Sequence, residues 1–482
     1  MLFRQILHED LGCASYVIAD GGEAAVIDPK WQIEDYLELA QEHDVRIRHV
    51  LETHNHADHL SGRGRLAAAT GATLHASAEA GAEYDHQPLE EGTAIELGAA
   101  RITALHTPGH RPEHLAFVVE DRSREEEPWL LLTGDSLFVG DVARPDLAVE
   151  PEEGARGLYR SVARLLEHED FVEVWPGHIG GSLCGGAAMS KKPGSTVGFE
   201  RRFSPLLRIA DEDEFVRELT ASPQPQPPNF ERIVELNRGP LITEAAALEP
   251  LAPVGAQALL DGGAVLVDGR EPREFDAVHV PGSLSVAQTH SGVGTRAAWI
   301  VEPEADVVVL AAGDADARAL ARNLEAVGFR SLRGFVAGGI GAWQAAGLET
   351  ESTPAIDPAE LARRLRAGDV TLLDVREDDE WEKGHVEGSL HLPYHELRDG
   401  VPGDVPHDEP LAVACSAGNR SSLAVSLLHR AGLENVIHVT DGGVQDLEGL
   451  GVEQVRAPEP VSDTVTKASR RALKGSSAPE TN

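Results

Sequence analysis

The sequence predicts a multidomain α/β protein. The first indication is a repeat, since residues 265–284 (VLVDGREPREFDAVHVPGSL) align with residues 371–390 (TLLDVREDDEWEKGHVEGSL). Short apolar runs also alternate with segments of helical period, as at 411–414 and the following RSSLAVSLLHRAG, which is typical of βα units on a parallel sheet. The length of 482 residues leaves room for about three domains of roughly 150 residues each.

The repeat divides the second half of the chain into two units of one kind. A second pair of matching segments aligns residues 326–331 (AVGFRS) with residues 430–435 (RAGLEN). The repeat therefore predicts domains at 250–352 and 353–458. Three polar positions recur in both copies and are expected to make structural contacts: Asp268, Arg270 and His279, matched by Asp374, Arg376 and His385.

Residues 1–245 do not share the repeat and are predicted to form a separate α/β domain. Helical segments such as 33–42 alternate there with short strand-like segments, at 15–18, 24–27, 48–52, 129–133 and 171–175. At the other end, residues 459–482 have no apolar period and are predicted to form a disordered tail.

Composition excludes several classes of partner. Lys and Arg number 42 against 80 Asp and Glu, and the net charge of −38 argues against nucleic-acid binding. The sequence contains no apolar run of about 18 residues, so it predicts no membrane span. Acidic residues near the N-terminus stand where a secretory signal peptide would have its apolar stretch. The three cysteines are too scattered for a disulfide framework, so we expect a cytoplasmic protein. Whether it forms a homo-oligomer is left open.

The strongest motif is THNHADH at residues 53–59, directly after the strand-like RIRHVLE. Further along the chain, three polar side chains likewise follow apolar strands or turns: His110, Asp135 and His178. Ligands in α/β folds gather at the carboxyl ends of strands, so these residues are expected to converge. Histidine and aspartate in such a cluster indicate a metal site.

These residues resemble the metallo-β-lactamase superfamily, whose hallmark is H-x-H-x-D-H followed by a distant His, Asp and His. The resemblance covers residues 1 to about 245, and seven positions fit: His54, His56, Asp58, His59, His110, Asp135 and His178. It implies an αββα sandwich with the metal at one edge of two sheets. The superfamily includes both zinc hydrolases and iron oxygenases, so the resemblance leaves the chemistry open.

Two metal sites are compatible with this pattern. If all seven side chains bind, with Asp135 bridging, the site holds two Zn²⁺ ions that polarise water, as in glyoxalase-II-like thioesterases. If only His54, His110 and Asp135 bind, they form a two-histidine, one-carboxylate triad on one Fe²⁺ with open positions for substrate and dioxygen. The identity of the ligands does not decide between the two.

Neighbouring segments resemble the persulfide dioxygenase branch of the superfamily, particularly members fused to rhodanese domains. The segments are residues 134–147 (GDSLFVGDVARPDL) and residues 176–203, which include Cys184. The resemblance implies one Fe²⁺ per chain on the triad, while His56, Asp58, His59 and His178 orient the ligands and hydrogen-bond the substrate. Cys184 is either an apolar filler or a thiol that holds a persulfide near the iron. Cys13 is expected to be a buried filler.

A second candidate site lies in the second repeat, in LAVACSAGNRSS. Cys415 ends a predicted strand, and a helix is expected to begin near Ser421. The backbone N–H groups of Ser416, Ala417, Gly418 and Asn419, together with Arg420, would stabilise negative charge on the sulfur and cradle a persulfide. The loop resembles the rhodanese active-site loop. The first repeat has Ala311 opposite Cys415 and therefore no nucleophile, which implies an inactive rhodanese-like domain.

Together the two sites predict an enzyme that consumes and carries persulfide sulfur. The expected reaction is iron-dependent oxidation of a low-molecular-weight thiol persulfide by dioxygen to sulfite, with sulfane-sulfur transfer at Cys415 that forms or uses thiosulfate. One alternative is a zinc thioesterase of glyoxalase-II type with accessory rhodanese domains, and another is a sulfur-carrying scaffold with a structural metal. The thiol that carries the persulfide and the direction of the relay stay open.

Overall fold

The computed structural model describes residues 1–125, 127–186, 188–221, 225–288 and 292–456. The predicted disordered tail at 459–482 lies outside these residues. Among the described residues, no helix is long and apolar enough to cross a membrane.

The N-terminal part contains two six-stranded mixed sheets. The strands of the first sheet follow chain order: β1 (Leu2–His8), β2 (Cys13–Asp20), β3 (Glu23–Ile27), β4 (Arg46–Leu51), β5 (Thr73–Ser77) and β6 (Gln87–Leu89). The second sheet has the order β12-β11-β10-β9-β8-β7, with β7 (Ala94–Leu97), β8 (Ala100–His106), β9 (Leu115–Asp121), β10 (Leu130–Gly134), β11 (Glu173–Pro176) and β12 (Ser195–Thr196).

The two sheets pack face to face, and helices cover their outer faces. Tyr16 and Ile27 of the first sheet share one core with Phe117 and Leu132 of the second. The helices of this part are α1 (Glu34–Glu42), α2 (Arg63–Thr70), α3 (Pro151–Leu165), α4 (Val197–Phe203), α5 (Glu212–Thr220) and α6 (Phe230–Arg238). Apolar residues of α1 and α2 pack on the first sheet, and those of α3 pack on the second. The predicted αββα sandwich is confirmed.

The two repeats form five-stranded parallel sheets of identical topology, with orders β13-β17-β16-β14-β15 and β18-β23-β22-β19-β21. The first comprises β13 (Pro250–Leu251), α7 (Pro253–Asp261), β14 (Val265–Asp268), α8 (Pro272–Ala277), β15 (Leu284–Ser285), α9 (Val293–Ile300), β16 (Val307–Leu310), α10 (Asp314–Ala326), β17 (Leu332–Val336) and α11 (Gly339–Ala345). The parallel sheets follow from the alternation of buried apolar strands with amphipathic helices.

The second repeat comprises β18 (Ala355–Ile356), α12 (Pro358–Ala367), β19 (Thr371–Asp374), α13 (Asp378–Lys383), β20 (His385–Val386), β21 (Leu390–His391), β22 (Leu411–Ala414), α14 (Asn419–Arg430), β23 (Val436–Val439) and β24 (Gln454–Val455). Short 3₁₀ helices occur at Leu206–Arg208, Tyr394–Asp399 and Val444–Leu450. Helix α14 begins two residues before the predicted Ser421, because Gly418 caps it with φ of +93°, a conformation that favours glycine.

The three units share buried contacts. One apolar core includes Leu60 of the sandwich, Leu324 of the first repeat and Leu423 of the second. The Leu60 N–H donates to the Ala326 carbonyl at 2.7 Å. Because these contacts are buried and hydrogen-bonded, they fix how the sandwich and the two repeats face one another.

Candidate metal centre and cysteine loop

The strands of both sheets in the sandwich deliver the histidine and aspartate side chains to one end of the domain. His54 follows β4 in the first sheet, while His110, Asp135 and His178 follow β8, β10 and β11 in the second. The nitrogen or oxygen atoms of His54, His110 and Asp135 lie within 4.8 Å of one another. All three residues are buried. The predicted convergence at strand ends is what brings them together.

Three atoms of this cluster are buried without a hydrogen-bond partner among the described residues: His54 Nε2, His110 Nε2 and Asp135 Oδ2. Asp135 Oδ2 lies 3.5 Å from His110 Nε2 and 4.0 Å from His54 Nε2. An unsatisfied buried polar atom is costly, so three that converge require an explanation.

Neighbouring hydrogen bonds show that these atoms carry lone pairs rather than protons. The Thr53 hydroxyl donates to Asp28 at 2.8 Å and can therefore only accept the 2.9 Å bond from His54 Nδ1. His110 Nδ1 likewise donates to the Arg144 carbonyl at 3.0 Å. With the proton of each ring on Nδ1, both Nε2 atoms point lone pairs at the carboxylate. Two imidazoles and one carboxylate arranged in this way suit a metal cation.

His178 is arranged differently, because both of its ring nitrogens face carboxylates. Nδ1 lies 2.8 Å from Asp135 Oδ1, and Nε2 lies 2.9 Å from Asp58 Oδ2. Burial opposes the charged ring, but Asp135 and Asp58 outweigh it and raise the pKa of His178 well above its usual value. His178 therefore bridges two carboxylates as a donor and has no free lone pair.

The remaining histidines of the motif pair with carboxylates. His56 Nε2 lies 3.2 Å from Asp28 Oδ1 and 3.3 Å from Glu52 Oε2. Burial opposes its charge, yet these carboxylates raise the pKa of His56 to about 10. His59 Nδ1 contacts Asp58 Oδ1 at 3.1 Å, while no described residue pairs with His59 Nε2. His56, Asp58 and His59 nonetheless have ligand atoms within 4.8 Å of one another, which leaves a second metal position geometrically available.

The pKa values of the triad favour the forms that bind a cation. Burial and the nearby histidines lower the pKa of His54 well below its usual value, and burial lowers that of His110. Burial opposes ionisation of Asp135, but its contact with His178 holds the pKa of the carboxyl below its usual range. Neutral imidazoles and an ionised carboxylate are the states that ligate metal.

Two cysteines flank His178. Cys184 is buried, its sulfur lies within 4.8 Å of ligand atoms of Asp135 and His178, and burial raises the pKa of its thiol to about 12. Cys13, expected to be a filler, donates instead to Asp58 Oδ2 at 3.0 Å and lies 3.6 Å from His59 Nδ1. Sequence reasoning missed this role, because Cys13 precedes the motif by 40 residues and follows no strand end.

Other supporting residues were also missed. The His114 ring accepts from the Asp135 N–H at 2.8 Å and thereby positions Asp135. Asp28 receives both the backbone N–H and the hydroxyl of Thr53. The place of Asp28 directly after strand β3 is the signal that could have revealed it.

The second candidate site forms at the end of β22. The Gly418 N–H donates to Cys415 Sγ at 3.1 Å, and Ser421 Oγ lies 3.4 Å from the sulfur. Cys415 is buried at 2% exposure, beside the N-terminus of α14. A sulfur that receives a backbone N–H and lies near a hydroxyl at a helix N-terminus is placed to carry negative charge.

The other loop residues take up distinct positions. The Arg420 guanidinium donates to Glu380 Oε1 at 2.9 Å and to Ser416 Oγ at 3.0 Å rather than to the sulfur. Although burial would raise it, the pKa of Glu380 is lowered to about 2 by Arg420. Ala417 and Asn419 line the same cavity as Cys415.

A cavity of about 1230 Å³ connects the two halves of the molecule. Cys415 and Arg420 line one side, and residues 179–183 of the sandwich, which lead directly to Cys184, line another. Arg296 of the first repeat also contributes to its wall. The cavity thus extends from the cysteine loop to the segment that leads to the metal cluster.

The first repeat lacks the nucleophile. Asp268 pairs with Leu310 across β14 and β16 just as Asp374 pairs with Ala414 across β19 and β22. Ala311 therefore follows β16 at the place where Cys415 follows β22, in agreement with the alignment of the repeats.

Comparison with known families agrees with this architecture. Residues 8–178 match the metallo-β-lactamase superfamily, and residues 253–346 and 357–449 each match the rhodanese-like domain. The superfamily fold and the His/Asp clusters together indicate a metal-binding protein.

Individual relatives cover different parts of the chain. A hydroxyacylglutathione hydrolase of Anaeromyxobacter dehalogenans is 34% identical over 165 residues, which are 34% of this chain and 60% of that protein. The mitochondrial persulfide dioxygenase ETHE1 of Bos taurus is 28% identical over 243 residues, 49% of this chain and 87% of that one.

A solved metallo-β-lactamase structure from Staphylococcus aureus subsp. aureus COL covers 70% of this chain and 98% of its own, with 25% identity and a TM-score of 0.61. These matches, with the two sandwich sheets and the duplicated parallel sheets, show that the chain consists of a metallo-β-lactamase superfamily domain followed by two rhodanese-like domains.

Proposed function

We propose that this protein is an iron-dependent persulfide dioxygenase that also transfers sulfane sulfur at Cys415. The observation that carries the proposal is the contrast between three lone pairs that converge at His54, His110 and Asp135 and the donor role of His178. A site with two metals would need His178 as a ligand. One metal on three ligands leaves open positions, as in ferrous oxygenases.

In the proposed oxidation, one persulfide RSSH reacts with one dioxygen and one water to give the thiol RSH and sulfurous acid. The sulfane sulfur loses four electrons, and dioxygen accepts them. Ferrous iron on the triad would supply the binding and activation of dioxygen. Asp58 and His178, which share a hydrogen bond at 2.9 Å, would hold and move protons next to the substrate sulfur.

The proposed transfer uses the cysteine loop. A Cys415 persulfide anion and sulfite would give the Cys415 thiolate and thiosulfate, as one S–S bond breaks and another forms. The reverse reaction would load Cys415 for delivery to the iron. The cavity of about 1230 Å³ places Cys415 opposite the segment that leads to Cys184, which supports passage of sulfite or persulfide from one site toward the other.

The proposed domains are residues 1–245 for iron, 250–352 for an inactive rhodanese-like unit and 353–458 for the active one. The substrates are small: a thiol persulfide, dioxygen, and sulfite or thiosulfate. The net charge of −38 argues against a nucleic-acid partner.

The second candidate is a zinc thioesterase, because a hydroxyacylglutathione hydrolase is among the relatives and His56, Asp58 and His59 could hold a second ion. Metal content of the protein purified without added metal separates the two, with oxygen uptake on glutathione persulfide measured alongside. We expect one iron per chain and oxygen consumption that His54→Ala abolishes. Two zinc ions, with no oxygen uptake after ferrous reconstitution, would reject the dioxygenase.

Sulfur transfer needs its own assay. Thiosulfate formed from glutathione persulfide and sulfite is measured for the wild type and for Cys415→Ser. We expect the variant to form none by enzymatic transfer. Thiosulfate formation at the wild-type rate would remove Cys415 from the proposal. Cys184→Ser, compared in the same assay, reports whether the thiol beside His178 takes part.

A further inference from the structure

A chain of buried polar contacts leads from the first repeat to the sulfur of Cys415. His438, on strand β23, has no exposed surface. Its Nδ1 lies 2.7 Å from Asp276 Oδ2, a carboxylate on helix α8 of the first repeat. Its Nε2 lies 2.9 Å from the Gly418 carbonyl and 3.0 Å from Ser421 Oγ. Ser421 Oγ in turn lies 3.4 Å from Cys415 Sγ.

Both ring nitrogens of His438 face acceptors. A carboxylate and a backbone carbonyl can only accept, so each nitrogen is placed to donate, one to Asp276 and the other to Gly418. A buried ring in this position would be costly without such acceptors, so the first repeat supplies a partner that the ring beneath the Cys415 loop needs.

The His438 ring is linked to the sulfur through two neighbouring donors. Gly418, whose carbonyl accepts from His438, directs its own N–H at the sulfur at 3.1 Å. The Ser421 hydroxyl can donate either to Cys415 Sγ or to the Val439 carbonyl, each at 3.4 Å. A charged acceptor forms the stronger hydrogen bond, so negative charge on sulfur draws this proton toward it.

The same residues are absent from the repeat that lacks the nucleophile. With the repeats aligned by residues 326–331 and 430–435, Ala311 matches Cys415 and Ala317 matches Ser421. In the two sheets, Phe335 pairs with Val309 as His438 pairs with Val413, so Phe335 stands in the place of His438. The matching positions in the first repeat thus lose the cysteine, the hydroxyl and the imidazole together. Packing alone would not require them to be lost as a group.

We propose that Asp276 of the first repeat is a positioning residue for sulfur transfer at Cys415. It holds His438 as a cation, and the cation orients Ser421 and Gly418 so that both stabilise the Cys415 thiolate and its persulfide anion. The repeat without a nucleophile thereby completes the site of the repeat that has one. This inference rests on the proposed sulfur transfer at Cys415.

The test measures thiolate reactivity directly on the full-length protein. The rate at which iodoacetamide alkylates Cys415 at pH 7 is followed by peptide mass spectrometry. We expect Asp276→Asn to slow it about tenfold, because a less stabilised thiolate reacts more slowly at pH 7. The kcat for transfer from thiosulfate to cyanide should fall in parallel while KM changes little, and Asp276→Glu should restore part of both.

Ser285→Ala is the matched control. Ser285 also joins the two repeats through a buried 2.6 Å hydrogen bond to Ser422, but it has no contact with His438. We expect alkylation of Cys415 in this variant to stay at the wild-type rate. If Ser285→Ala slows alkylation as much as Asp276→Asn does, packing between the repeats explains the effect and the inference is wrong.

Two further variants test the inference independently in case Asp276→Asn does not fold. Ser421→Ala removes one hydroxyl, and His438→Gln removes the charge; each should slow alkylation several-fold. Wild-type rates in Asp276→Asn, or in both of these variants, would overturn the inference. Alkylation does not depend on turnover, so wild-type thiosulfate formation by Cys415→Ser would refute the proposed function without altering this readout.

Discussion

Asn237 is expected to secure the histidine motif. The side chain lies on α6, is 2% exposed, and donates to the carbonyls of both His56 and His59 at 2.9 Å. It also accepts from the Ser61 N–H at 3.0 Å. At about 1 kcal/mol for each hydrogen bond, Asn237→Ala should lower the free energy of unfolding by about 3 kcal/mol. Loosening the motif should also weaken metal binding about tenfold.

Asn229 provides the matched control, because it precedes the same helix, is equally buried, and donates one hydrogen bond, to the Val327 carbonyl at 2.8 Å. Asn229→Ala should cost about 1 kcal/mol and leave the metal affinity unchanged. Urea unfolding followed by tryptophan fluorescence gives the free energies, and competition with a chelator gives the affinities. Equal losses of stability in the two variants, or wild-type metal affinity in Asn237→Ala, would refute this reasoning.

Three further predictions concern single side chains. Asp135→Asn should remove most of the bound metal in elemental analysis of purified protein, and wild-type metal content would contradict its assignment as a ligand. Arg376→Met leaves the fully buried Asp374 unpaired and should cost roughly 3–5 kcal/mol in urea unfolding, far more than the exposed Arg363→Met; equal losses would contradict this. Because the folded pKa of Glu380 is about 2, below its ordinary 4.5, its stabilising contribution is complete above pH 4.5 and is lost as pH falls toward 2. Glu380→Gln should therefore reduce the slope of stability against pH in that interval, and an unchanged slope would exclude this role.

Much of the fold could be predicted because its signals are local or repeated. The strands expected at 24–27 and 129–133 lie within one residue of β3 and β10, since apolar runs bounded by turn residues specify buried strands. The duplication predicted two parallel sheets, and both have the same strand order. The positions of His54, His110 and Asp135 after strands predicted that their side chains would converge, and they do so although His54 follows a strand of one sheet and the other two follow strands of the other.

The supporting contacts could not be predicted, because they join residues that are far apart in sequence. Cys13 and Asp58 are 45 residues apart, and Asp276 and His438 are 162 residues apart. Neither Cys13 nor His438 stands in a pattern that distinguishes it from a core residue. Only the packing of the sheets and of the two repeats brings such pairs together, and a single sequence carries no local signal for that packing.

The contact between Asp276 and His438 also explains why a repeat without a nucleophile is compatible with an enzyme. Asp10 of the sandwich accepts from the N–H groups of Val293 and Gly294 at the start of α9 in the first repeat. That repeat therefore touches the metal domain on one side and the Cys415 loop on the other. In the proposed arrangement, the first repeat serves the Cys415 site through its position in the cavity wall and through the Asp276 carboxylate, and neither role requires a cysteine at position 311.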